Sequence, residues 1–237
     1  MNISAEELVA LAGSIKNTPG AFKCEYCNKS FKREGTMLAH SCEKKRRWQQ
    51  KDDKETLAGF SAFDLFYRIS MGSKGKDYKS FVDSQYYTAF IKYGNWCYNS
   101  NVIDIEAYTR WLINKEVKLR DWASERFYLM FIKDFVKRES VERALERFVE
   151  YAIATGYFEE FWERASGYLI ADWIEGGKIS PWIIICSQRA QTALGNMPSE
   201  CFERIANCID ADYWGNKRTM NPKDAYFVEE MIDGIKF

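Results

Sequence analysis

The sequence predicts an all-α protein that begins with one small, separate unit. Apolar residues recur at helical spacing through most of residues 55–237, which is typical of helices that bury one face. Only 4 prolines and 14 glycines occur among the 237 residues, so few residues interrupt this pattern. Hydrophobic residues make up 46% of the chain and charged residues 29%. This is the composition of a folded globular protein.

Four segments follow one another along the chain. We predict an N-terminal helix and linker (1–20), a compact unit (21–43), a basic connecting helix (44–54) and an all-α domain (55–237). In the first segment, Ser4 and Glu7 form a capping box for a helix over 3–13. The dipeptide Pro19-Gly20 then marks a turn.

The later helices are predicted from apolar spacing and from capping residues. A polar, basic stretch leads without a breaker into apolar residues, which predicts one helix over 44–70. Further helices are predicted over 78–93 with a stop at Gly94, and over 104–114, 118–138, 141–155 and 157–174. The pairs Ser180-Pro181, Pro198-Ser199 and Asn221-Pro222 predict three more helix starts. Residues 182–186 have strand propensity, but their flanks favour a fully buried helix.

Composition excludes several classes of function. His40 is the only histidine, so multi-histidine metal enzymes are excluded and a histidine-based triad would have to use this residue. No apolar run reaches the ~20 residues of a membrane span, and the acidic N-terminus is unlike a signal peptide. A Gly-rich phosphate loop is also missing. We therefore expect a non-enzymatic protein of a reducing cytoplasm, without a membrane.

Residues 22–42 carry one detailed motif. Cys24 and Cys27 are separated by two residues, and His40 follows at finger-helix distance. Phe22 stands two residues before Cys24, and Phe31 and Met37 occupy the apolar positions between Cys27 and His40. The segment resembles the two-Cys two-His zinc finger, which implies a small ββα fold held by structural zinc. Zinc contributes ~10–16 kcal/mol of apparent binding energy in such peptides, which their small cores lack.

The fourth ligand departs from that pattern. Only Ser41 separates His40 from Cys42, whereas positions i and i+2 of an α-helix point about 200° apart. Both side chains can reach one ion only if the helix ends at His40. We predict a zinc site of Cys24, Cys27, His40 and Cys42, with Cys97 as the alternative fourth ligand.

Charge is distributed unevenly along the chain. Residues 1–138 carry a net charge of +7 and residues 139–237 a net charge of −7. Within 22–51, nine basic residues face three acidic ones, an excess that suits a polyanion. Helix positions that read bases in DNA-binding fingers correspond to Arg33, Thr36 and Ala39. The predicted nucleic-acid contacts are Arg33, Thr36, Lys44, Lys45, Arg46 and Arg47, with Trp48 either stacking on a base or packing on the helical domain.

The finger, the following Cys42-to-Trp48 run and the aromatic-rich helices ending in Val141–Arg147 look like a group of uncharacterised zinc-finger proteins of large tailed bacteriophages. This resemblance implies a viral protein of the host cytoplasm and no established activity. We expect a zinc-dependent nucleic-acid-binding accessory protein of phage DNA metabolism or transcription. Duplex DNA is the expected ligand of the finger and basic run, and a protein partner that of the acidic helical domain. The alternative is a protein-binding adaptor, or a structural component of a viral assembly, in which the finger docks on protein.

Overall fold

A computed structural model describes residues 22–234 of the chain; the helix predicted over 3–13 lies outside them. Two compact units divide the chain, Met1–Asn95 and Trp96–Phe237. Described residues of the first unit form strands β1 (Phe22–Lys23) and β2 (Ser30–Phe31), then helices α1 (Glu34–Leu38), α2 (Glu43–Gln49), α3 (Lys54–Met71), α4 (Tyr78–Asp83) and the start of α5 (Tyr87–Asn99). The predicted ββα unit followed by helices is confirmed.

The second unit contains ten further α-helices among the described residues. They are α6 (Ile105–Asn114), α7 (Glu125–Arg138), α8 (Val141–Ile153), α9 (Phe161–Arg164), α10 (Gly167–Glu175), α11 (Pro181–Cys186), α12 (Gln188–Gly195), α13 (Ser199–Cys208), α14 (Ala211–Met220) and α15 (Pro222–Asp233). Two short 3₁₀ turns lie at Leu119–Asp121 and Phe158–Glu160. No helix within 22–234 combines the length and apolar character needed to cross a membrane.

The single helix predicted over 44–70 is wrong, because the chain breaks between α2 and α3. Asp53 takes an extended conformation and is the N-cap of α3. The polar residues around it offer no apolar face that packing could hold in a helix. Trp48, at the end of α2, instead packs edge-on against Tyr78, with ring centroids 5.1 Å apart. Trp48 therefore packs on α4, which is one of the two roles predicted for it.

The predicted helix over 78–93 is also divided, and its stop at Gly94 is wrong. Asp77 caps α4 through a bond from the Ser80 backbone N–H, and the extended Ser84 ends it. Helix α5 then continues through Gly94 to Asn99. A Cβ on Gly94 would lie 2.7 Å from the backbone nitrogen of Gly59. The glycine therefore permits close backbone packing between α5 and α3 rather than a helix end.

Replacing Gly94 by Ala is expected to destabilise the first unit by about 1–3 kcal/mol. The added methyl group would also clash with the backbone oxygen of Glu55, so the two helices have to separate. The matched control is Gly215→Ala in α14, where a Cβ meets nothing within 4 Å and helix propensity favours alanine by up to ~1 kcal/mol. Denaturant unfolding measures both effects. Equal stability of the two variants would contradict the close packing of α5 against α3 at Gly94.

Aromatic side chains supply much of the core of the second unit. Trp122, Trp182 and Trp214 are each at most 1% exposed, and the Trp182 and Trp214 rings meet at 5.8 Å. The buried helix predicted over 182–186 is confirmed as part of α11. The predicted helix over 157–174 is wrong as one element, because Ser166 stops it and caps α10 through the Leu169 N–H. The helix predicted over 118–138 likewise starts only at Glu125.

Candidate metal centre

The turn between β1 and β2 presents the first two cysteines. Phe22 pairs with Phe31 across the antiparallel strands, and the Cys24 N–H donates to the carbonyl of Lys29 at 3.0 Å. Asn28 completes the turn with a φ of 58°, a left-handed conformation that asparagine tolerates better than most residues. The turn places Cys27 beside the buried Cys24.

The last two candidate ligands, His40 and Cys42, lie where one helix ends and the next begins. Helix α1 stops at Leu38, and the His40 N–H still donates to the Met37 carbonyl at 3.1 Å. Cys42 is extended, with φ −113° and ψ 160°, and is the N-cap of α2. Because the helix ends before His40, the two side chains can face one point despite their spacing. From the sequence, Cys42 could be the fourth ligand only if the helix ended at His40, and the structure meets this condition.

The four ligand atoms form one cluster. All of them lie within 4.8 Å of one another. Bonds of about 2.3 Å to sulfur and 2.0–2.1 Å to nitrogen place sulfurs about 3.8 Å apart in a tetrahedral zinc site, and sulfur and nitrogen about 3.6 Å apart. The Cys24 and Cys42 sulfurs are 4.0 Å apart, and Cys27 Sγ is 3.4 Å from His40 Nε2. The cluster is thus compatible with a metal ion such as zinc, and Cys97 is not a member of it.

Backbone N–H groups donate to thiol sulfurs of the cluster. The backbone N–H of Cys27 lowers the pKa of the Cys24 thiol, because a hydrogen bond stabilises the charged form. The Lys45 N–H donates to Cys42 Sγ at 3.3 Å. The ammonium group of Lys45 also lies 3.5 Å from the carbonyl oxygen of His40. Helix α2 therefore supplies both a backbone donor and a positive charge next to the cluster.

The predicted nucleic-acid residues fall into two groups. Arg33, Thr36 and Arg46 are exposed, and Arg33 is the N-cap residue of α1 without a capping side-chain bond. Lys45 is instead half-buried, with its ammonium group beside the His40 carbonyl. Lys44 and Arg47 are likewise engaged within the fold. Lys44 pairs with Asp83.

Arg47 connects α2 to α4 and α5 through several contacts. Its guanidinium donates to the Val82 carbonyl at 2.5 Å, pairs with Glu43 and lies 4.2 Å from the ring centre of Tyr87. The Tyr78 hydroxyl donates to the Arg47 carbonyl at 2.7 Å. Arg47 thus holds α2 in place.

Sequence reasoning missed a surface cavity beside the cluster. It has a volume of about 310 Å³, and Tyr26 and Leu38 are among its lining residues. Leu38 is 64% exposed although it lies on a helix of the finger. The available signal was a leucine two residues before the candidate ligand His40, but spacing alone did not show whether it was buried.

No protein-family model matches the chain, and no curated protein or solved structure is significantly similar to it. Three sulfurs and one imidazole nitrogen form the kind of ligand set that zinc binds in proteins. Four protein ligands leave no open position for substrate, which is typical of structural rather than catalytic zinc.

Proposed function

We propose that the chain is a zinc-dependent nucleic-acid-binding accessory protein and not an enzyme. Zinc held by Cys24, Cys27, His40 and Cys42 would fix the finger, whose exposed basic residues would contact phosphates. The observation that carries the proposal is the double role of Cys42. It belongs to the ligand cluster and also caps the basic helix α2, so metal binding would set the orientation of that helix.

The contacts within the first unit divide the basic residues by role. We assign phosphate binding to Arg33, Lys45 and Arg46, with Thr36 beside a base. Lys44 and Arg47 would orient α2, because their charges already meet Asp83 and Glu43. Duplex DNA remains the expected ligand, and a phage origin and the host cytoplasm remain expectations from the resemblance.

Removal of exposed arginines is expected to weaken DNA binding and to lower its salt dependence. Each lost phosphate contact should reduce the slope of log K against log salt by about one. Fluorescence anisotropy with labelled duplex DNA, single-stranded DNA and RNA would compare Arg33→Gln and Arg46→Gln with wild type. Arg126→Gln, an exposed arginine of the second unit, is the charge-matched control. An absence of binding by zinc-loaded wild type to all three ligands would refute the proposal.

A second candidate function is docking on protein, favoured by one surface of the second unit. Helix α15 exposes Tyr226, Phe227 and Met231, and Met220 just before it is 81% exposed. Residues 139–237 carry a net charge of −7, which opposes nucleic-acid binding there. This surface supports the expected protein partner of the helical domain. The adaptor function would replace the first proposal if partner binding required zinc while nucleic-acid binding was absent.

A further inference from the structure

The cavity beside the metal cluster differs from the helix surface that finger proteins use to read duplex bases. Its lining includes Lys23, Glu25, Tyr26, Met37, Leu38 and Lys45, together with the candidate ligands Cys24 and His40. Arg33 and Thr36 do not line it. The finger therefore offers two surfaces, one with the duplex-reading positions and one with a cavity.

Part of the cavity wall is apolar and includes an aromatic ring. Leu38 is 64% exposed, and Met37 and Tyr26 are partly exposed beside it. The volume of about 310 Å³ lies at the lower end of the range for small-ligand sites, roughly 300–1,000 Å³. Bases gain affinity by stacking on aromatic side chains, and an unpaired base has its faces free to do so.

The charged groups of the lining match the polar parts of a nucleotide. Lys23 and Lys45 can bind the flanking phosphates. Glu25 opposes a phosphate, and its carboxylate already hydrogen-bonds to the Tyr26 hydroxyl, which raises the pKa of Tyr26. A carboxylate has further acceptor positions that base N–H groups can use. Guanine offers a ring N–H and an amino group side by side, whereas thymine offers a single N–H. An acidic peptide has no comparable donors for Glu25 in its side chains, so a base fits this lining better.

We propose that the cavity binds one unpaired base, with guanine preferred over thymine, next to a duplex held by the basic residues. The inference rests on the proposed function and names its substrate class. The preferred substrate is thus a duplex with a single-stranded extension rather than a blunt one.

Anisotropy with four labelled duplexes tests this inference. They are blunt, or carry an extension of guanines, of thymines or of abasic sugars, the last having the same phosphates without bases. Wild type is expected to bind the guanine extension about tenfold more tightly than the abasic one, the scale of one stacked base. Wild type should also bind the guanine extension more tightly than the thymine extension, and Glu25→Gln should remove that difference in affinity.

Variants of the residues that line the cavity test whether the preference depends on the cavity itself. Leu38→Ser and Tyr26→Ala should abolish the tenfold preference for the guanine extension. Tyr26→Phe retains the aromatic ring and should therefore retain the preference. Lys23→Gln should weaken binding to the extended duplexes more than Lys32→Gln, because Lys32 is exposed and does not line the cavity. One bound zinc per chain in each variant shows that the finger is intact.

Two results would overturn the inference while leaving the proposed function standing. One is equal binding of the guanine and abasic extensions, with binding to the blunt duplex intact. The other is a preference that survives in Leu38→Ser and Tyr26→Ala. Loss of binding to every duplex, the blunt one included, would instead refute the proposed function itself.

Discussion

Removal of zinc by a strong chelator is expected to unfold residues 22–42 while the helices of residues 96–234 stay folded. Cys24 is the only buried residue in that segment. Strands β1 and β2 have two residues each, and α1 has five residues and none buried. Such a unit lacks the apolar core that stabilises a fold, so we expect the ~10–16 kcal/mol of structural zinc binding to replace it.

Amide hydrogen exchange measures this effect residue by residue. The amides of Cys24 and Asn28, which donate within the turn, should lose protection on chelation and regain it when zinc is restored. Cys27→Ser should behave like the chelated protein. Cys208→Ser is the matched control, because Cys208 lies in α13 outside the cluster. Persistent protection of the turn in the metal-free protein would show that zinc does not hold the finger.

Replacing Glu139 by Ala is expected to destabilise the second unit by up to about 3–5 kcal/mol, because it leaves a largely buried arginine without its counter-charge. The side chains of Arg147 and Glu139 are 11% and 3% exposed. Both terminal guanidinium nitrogens donate to the carboxylate, one of them at 2.7 Å. Glu139 caps the end of α7 and Arg147 lies on α8, so the pair joins these two helices.

Urea unfolding followed by tryptophan fluorescence tests this prediction. Arg143→Ala breaks the exposed pair with Glu146, whose side chains are 74% and 60% exposed, and should cost no more than about 1 kcal/mol. The double variant Glu139→Leu with Arg147→Met should be more stable than Glu139→Ala, because it leaves no unpaired buried charge. If Glu139→Ala is as stable as Arg143→Ala, the pair of Glu139 and Arg147 contributes little to the stability of the second unit.

Capping residues and prolines in the sequence predicted those helices whose ends are set by residues of the helix itself. Ser180 before Pro181 and Asn221 before Pro222 correctly placed two helix starts, because proline fits the first helical turn. Gly94 was misread as a stop, since its close approach to Gly59 depends on a residue far away in sequence. The break between α2 and α3 was missed for a similar reason, because Arg47 and Trp48 pack on residues around Tyr78.

The candidate ligands could be predicted because ligand spacing is a local property. Two residues between Cys24 and Cys27 suffice for a turn that brings both sulfurs to one metal. The second role of Cys42, as N-cap of α2, was missed because the connecting helix was predicted to begin at residue 44 and begins at Glu43. The cavity of Tyr26 and Leu38 required the folded hairpin, since these side chains are twelve positions apart in the chain.

Titration with Co²⁺ tests most directly the central claim that Cys24, Cys27, His40 and Cys42 hold one structural metal ion. We predict saturation at one equivalent, with the intense visible bands of tetrahedral cobalt and charge transfer from three thiolates. Zinc should displace the cobalt, and Cys42→Ser should lose one thiolate contribution while Cys97→Ser matches wild type. Weak octahedral bands, binding without saturation, or an unchanged spectrum in Cys42→Ser would contradict the claim.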